Sequence, residues 1–170
     1  MERVYGNILD FTLVRNEASR VVISFDLKPT GDDVHGTWSE LYYYKKRDGV
    51  PTLEQIKPIV LQQTNERIVN DITSGFVWQG HSVWLSTENQ FNYQSAADVA
   101  VMTDGANLPV TFKFGSDEEP DYVEFSDIST LRSFWAEASI YISNTLSSGW
   151  AEKDSIDWDE YERLLKEISQ

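Results

Sequence analysis

The chain has 170 residues, a formal net charge of −14 and no cysteine. Disulfide frameworks, zinc-thiolate sites and thiol nucleophiles are therefore excluded. So few cations also rule out phosphate neutralisation over a broad face, as a nucleic-acid reader requires. The 41% hydrophobic share is enough for a core and too much for a disordered chain. Residues Met1–Gly115 hold 14 acidic and 10 basic residues, whereas Ser116–Gln170 hold 14 and 4. The C-terminal third should repel nucleic acid and anionic membrane.

Taken in chain order, Met1–Gly6 lacks the apolar core of a signal peptide. Ile8–Val14 predicts a strand. Val21, Ile23, Phe25 and Leu27 alternate with other residues and predict a second, half-buried one. After the turn residues Pro29–Asp33, the aromatic run Thr37–Tyr44 predicts a third, which Arg47–Pro51 closes. The basic run Lys45-Lys46-Arg47 reads as a solvated edge. These fifty residues predict a three-stranded antiparallel meander. A helix follows, with Thr52 and Gln55 at capping-box spacing and Leu53, Ile56, Val60, Ile68 and Ile72 on one face. Pro58 kinks it or marks its start, and Ser74-Gly75 ends it.

The second half predicts a ββαββα plan. Phe76–Trp78 and Val83–Leu85 flank the turn Gln79-Gly80. Ser86 or Thr87 caps a helix reaching Met102, which Asp104-Gly105 stops. Val110–Phe114 and Tyr122–Phe125 are strands around the acidic loop Ser116–Asp121. Ser126 starts a long helix that ends at Ser148-Gly149, and a last helix spans Ile156–Ile168. The fold class is α+β, with modules 1–74 and 75–170 that share a core or stand apart. No stretch approaches the ~18 uncharged apolar residues that cross a bilayer.

The candidate sites are few. His35 beside Asp32 and Asp33, and His81-Ser82 after Gly80, sit at turns without the partners that acid–base or nucleophilic chemistry requires. The position two residues after Ser82 is Trp84, so the glycine pattern of a nucleophile elbow is missing. Asp117-Glu118-Glu119-Pro120-Asp121 and the group Asp154, Asp157, Asp159, Glu160 lack the alternating ligands and central glycine of a calcium loop. The reading is of no catalytic residue, no metal and no cofactor. The aromatic groups Tyr42-Tyr43-Tyr44, Trp78 with Trp84, Phe91 with Tyr93, and Trp150 with Trp158 remain as candidates for contact. The favoured ones are Tyr42, Tyr43 and Tyr44 on the third strand, and Trp158 and Tyr161 on the last helix.

The segment Phe76-Val77-Trp78-Gln79-Gly80-His81-Ser82-Val83-Trp84-Leu85 runs straight into Ser86-Thr87-Glu88-Asn89-Gln90-Phe91-Asn92-Tyr93. It resembles an uncharacterised domain family from phage and prophage tail-region genes, in which a G-x-x-V-x-L hairpin precedes S-x-E-N-Q-x-N-[FY] and a helix. Leu108–Phe114 looks like that family's central strand, and Gly149-Trp150 with Lys153–Trp158 looks like its tail. The likeness covers residues 76 to 161. It implies a non-enzymatic structural or adaptor protein of a phage particle, at the tail or a fibre attachment. It also implies residence in the virion after synthesis in the bacterial cytoplasm, and other virion proteins as partners, while the charge balance and the lack of a long apolar stretch argue against nucleic acid and membrane as partners. A homo-oligomer stays open. The alternatives are a carbohydrate-binding module for host-surface recognition and a tail-assembly chaperone.

Overall fold

The computed structural model describes residues 1–170 and divides them into two units, Met1–Thr64 with Lys153–Gln170, and Asn65–Glu152. The fold is α+β, as the sequence predicts, with four helices, eight strands and only antiparallel pairing. The expected division at Gly75 is displaced. The first helix belongs partly to each unit, and the last helix returns to the first unit.

The first unit contains β1 (Glu2–Asn7), β2 (Val14–Asn16), β3 (Arg20–Pro29) and β4 (His35–Tyr44) in one sheet of order β1-β4-β3-β2. The meander expected of three strands is thus joined by a fourth. Only Val14 of the expected strand Ile8–Val14 is extended and paired. The Asn7 side chain accepts from the Leu9 N–H and starts a 3-10 turn over Ile8–Asp10. The chain then passes from one sheet edge to the other, with Phe11 set edge-on to Trp38 at 5.8 Å between centroids. The Trp38 ring lies over Gly6, where a Cβ would sit only 2.8 Å from its nearest carbon.

Alternation sorts the sheet into two faces. Val21, Ile23, Phe25 and Leu41 form one, and are buried with Ile56 and Val60 of α1 (Leu53–Ser74) and Tyr161 and Leu165 of α4 (Trp158–Ile168). Ser24, Trp38, Glu40 and Tyr42 lie on the other. The Thr52 N–H donates to Gln55 Oε1 at 2.8 Å, half of the expected capping box. Pro58 stands inside α1 without ending it.

The second unit follows the predicted ββαββα order: β5 (Phe76–Trp78), β6 (His81–Val83), α2 (Thr87–Met102), β7 (Val110–Gly115), β8 (Pro120–Phe125) and α3 (Ile128–Asp154). Two-residue turn positions Gln79 and Gly80 both take positive φ, as a tight hairpin demands. Phe76, Trp78, Tyr93, Phe114, Phe125 and Phe134 fill the core together with Val83, Leu85 and Leu131. The expected stop at Ser148-Gly149 is absent, and α3 continues five residues beyond Gly149. Gly149 is buried against Ile68, and any Cβ there would collide with that side chain. It is a close-approach glycine and not a helix stop. No helix is long and apolar enough to cross a membrane.

Candidate functional site

The aromatic third strand of the sequence is β4, and its three tyrosines have three different fates. Tyr43 points into the helix-covered face and packs partly buried against the first core. Tyr42 lies on the opposite face, as alternation predicts. Its hydroxyl donates within 2.8 Å of Glu40 Oε2 and 3.0 Å of Glu2 Oε2. The Arg20 guanidinium covers its ring at 4.4 Å. Burial, and then the two carboxylates, push its phenol well above the ordinary tyrosine value. Only Tyr44 is exposed. Its N–H donates to Asp48 Oδ2, and Arg47 lies 5.5 Å over its ring.

On α4 the expectation of a contact surface is corrected. Tyr161 is 2% exposed and belongs to the core. Its hydroxyl donates to the Ser24 carbonyl at 2.6 Å, and burial pushes its phenol upward. Trp158 is half-buried against the same core, with the Lys57 ammonium 5.2 Å over its ring. The acidic residues around these two occupy the outer side of an amphipathic helix, capped by Asp157 accepting from Glu160 N–H at 2.9 Å.

The most elaborate polar cluster was not visible in the sequence. Glu40 is 3% exposed and accepts from Trp38 Nε1 at 2.9 Å, from the Arg15 guanidinium at 3.2 Å and from the Tyr42 hydroxyl. Burial alone would raise this carboxyl, but the bonds from Trp38, Arg15 and Tyr42 outweigh it and hold it below the usual range. Glu17 bridges Arg15 and Arg20 beside it. Every oxygen of Glu40 is occupied, so the cluster fixes the sheet and leaves no lone pair for a substrate.

The two histidines each open a strand, His35 at the start of β4 in the first unit and His81 at the start of β6 in the second. His35 Nδ1 is 3.0 Å from Asp32 Oδ2, and that contact holds the Asp32 carboxyl below its ordinary value. His81 pairs with Asp121. Nowhere do three or more His, Asp or Glu side chains converge as a metal site would require. A groove of about 670 Å³ between α2 and α3 holds Asp98 and Arg132 above Val101, Ile128 and Trp135. A second, of about 490 Å³ beside β4, holds Asp48 and Arg47. Neither brings two carboxylates together, as glycoside hydrolysis needs.

What does stand out of the surface is the hairpin that leads into α2. Phe76, Trp78, Val83 and Leu85 point inward and are buried. Their neighbours Val77, Ser82 and Trp84 therefore share the outer face, with Val77 57% and Trp84 51% exposed. Phe91, one turn into α2, is 69% exposed. The loop beneath is tightly bonded. Ser86 Oγ accepts from Asn89 N–H at 3.2 Å and caps the helix. Asn89 Nδ2 donates to the Trp84 carbonyl at 2.9 Å, and Gln90 Nε2 to the Leu85 carbonyl at 2.7 Å. Two carbonyls that no strand or helix bond reaches are thereby satisfied, and the backbone under Trp84 is fixed. The sequence signal for this was the Glu-Asn-Gln run itself, whose amide side chains have backbone partners within reach. The chain matches no family model, no curated protein and no solved structure.

Proposed function

We propose that this chain is a non-enzymatic contact protein, a structural or adaptor component that binds another protein through the outer face of the β5–β6 hairpin and the start of α2. The observation that carries the reading is Trp84. It is a large ring, half exposed, on a turn locked by the Asn89 and Gln90 side chains. A preorganised aromatic side chain loses little entropy on docking and is the residue type that dominates binding energy at interfaces. The placement in a phage or prophage tail, at fibre attachment, rests on the likeness of residues 76 to 161 to tail-region proteins.

Quantitative mass spectrometry of particles purified from the source strain, or from its induced prophage, tests the placement. A whole-number copy ratio to the major capsid protein is expected. Abundance in the lysate with absence from particles sinks it and favours an assembly chaperone. Trp84→Ala tests the surface. Recovery of the chain with its particle partners should fall at least about tenfold, the scale of an interface hot spot, with an unchanged circular dichroism spectrum. A second reading has one supporting observation, since Trp84 and Trp150 are both half exposed and each offers a face for a sugar ring. A glycan array without hits removes it.

A further inference from the structure

We propose that β1 is a self-pairing edge, through which two copies of this chain join antiparallel into one continuous eight-stranded sheet. β1 ends the sheet, bonded to β4 on one side only. The register fixes which backbone groups are spent. Ile8 N–H donates to the Val34 carbonyl at 2.8 Å, and the same ladder pairs Gly6 with Gly36, Val4 with Trp38 and Glu2 with Glu40. In an antiparallel ladder, directly bonded pairs alternate with unbonded ones. Arg3, Tyr5 and Asn7 are thus the residues whose backbone N–H and C=O groups face away from β4.

Edge strands are usually blunted by proline, bulges, shortness or charges that stand past the edge. β1 has six residues, no proline and no bulge. Its two charges are turned inward over the sheet. Arg3 reaches across to Asp26 Oδ2 at 2.9 Å, Thr37 Oγ1 at 2.7 Å and Ser39 Oγ at 3.2 Å. Glu2 accepts from the Tyr42 hydroxyl at 3.0 Å. The other edge, β2, is three residues long. Tyr5 within β1 and Met1 and Leu9 beside it are open, with Tyr5 64% and Leu9 88% exposed.

The free backbone groups of β1 match those of a second copy. Only one antiparallel register maps Arg3, Tyr5 and Asn7 onto one another, with Tyr5 facing Tyr5 on the two-fold axis and Arg3 facing Asn7. It would form about six backbone hydrogen bonds. It sets Glu2 opposite Ile8, so no like charges meet, and brings exposed Met1 of one copy beside exposed Leu9 of the other. The contact is isologous and closes as a dimer. It uses none of the hairpin face proposed above, so either proposal can fail alone.

Sedimentation equilibrium of the intact chain at micromolar concentration should give twice the 19.5 kDa chain mass. Tyr5→Pro should return it to a monomer with an unchanged fold, because the Tyr5 N–H faces outward and is not used by β4. If that variant does not fold, Tyr5→Cys decides. The chain has no other cysteine. Directly bonded residues across the ladder lie about 5.5 Å apart at Cα, within reach of a disulfide. Oxidation should convert this variant, and not Tyr122→Cys, into a covalent dimer. A wild-type monomer, a dimer that survives Tyr5→Pro, or no preferential crosslink at Tyr5 would overturn the proposal. A monomer that captures a different protein through Tyr5 would overturn it too, and would assign the edge to that protein.

Discussion

The two units bury their interiors with different chemistry. The first packs Val21, Ile23 and Leu41 of its four-stranded sheet against Ile56, Val60 and Leu165, with Phe25 and Tyr161 as its buried rings. The second has only two-stranded sheets and fills its core with Phe76, Trp78, Tyr93, Phe114, Phe125 and Phe134. A lone two-stranded hairpin is marginal in water, because it has no second layer to cover its apolar face. Large rings supply that layer, since each buries more area than an aliphatic side chain and they pack edge-to-face as well. The first unit is held by a sheet ladder, the second by ring contacts.

Phe134 is the sharpest place to break this contrast. Its ring lies within 6.4 Å, centroid to centroid, of six others, those of Phe76, Trp78, Tyr93, Phe112, Phe114 and Phe125. Phe134→Ala should cost about 3–5 kcal/mol through lost burial and the cavity left behind. Amide hydrogen exchange should show the loss in β5–β8 and α2, with β3 and β4 still protected. Equal loosening of both units would mean that the ring cluster is not a local device.

The matching test in the first unit is Tyr161→Phe. Ser24 donates its N–H to the Leu13 carbonyl where the β2 ladder begins, and its own carbonyl accepts from Tyr161. Removing the hydroxyl leaves that buried carbonyl without the bond, at a cost of about 1–3 kcal/mol. Urea unfolding of the pair of proteins reads it. A cost near zero would show that ring burial alone anchors α4.

These cases show what was legible in the sequence. The order ββαββα could be read because local signals agree: alternation at Phe76 and Trp78, a serine cap at Ser86, helical spacing from Ile128. β1 could not, since Glu2-Arg3-Val4-Tyr5-Gly6-Asn7 carries two charges and a glycine, and is a strand only because β4 pairs with it. Ile8–Val14 looks extended by composition, yet Asn7 caps a turn within it. Tyr161 reads as surface because acids surround it, although Trp158, Tyr161, Leu165 and Ile168 form the apolar stripe of α4. Of the aromatic residues that the sequence offers for contact, Tyr44, Trp84, Phe91 and Trp150 are exposed, whereas Tyr161 is buried. Alternation cannot say which face of a hairpin a helix will cover.

Glu40 gives the smallest expected effect and the clearest sign. Its carboxyl is held below the ordinary glutamate value in the folded chain, so the folded state binds its proton less readily than the unfolded chain does. Its stabilisation is complete above the unfolded glutamate value and disappears as the pH falls through the lower, folded one. Glu40→Gln keeps the shape and one acceptor for Trp38 or Arg15, and Arg15 retains Glu17. At neutral pH it should cost about 1 kcal/mol, the net worth of a hydrogen bond. In acid the difference from wild type should shrink and vanish, because protonation gives wild-type Glu40 the same neutral charge. Chemical unfolding across that range reads both limbs. A difference that stays constant into acid would mean that Glu40 acts by shape alone. One that grows would mean that its proton is bound more tightly in the fold, reversing the sign derived from its Trp38, Arg15 and Tyr42 bonds.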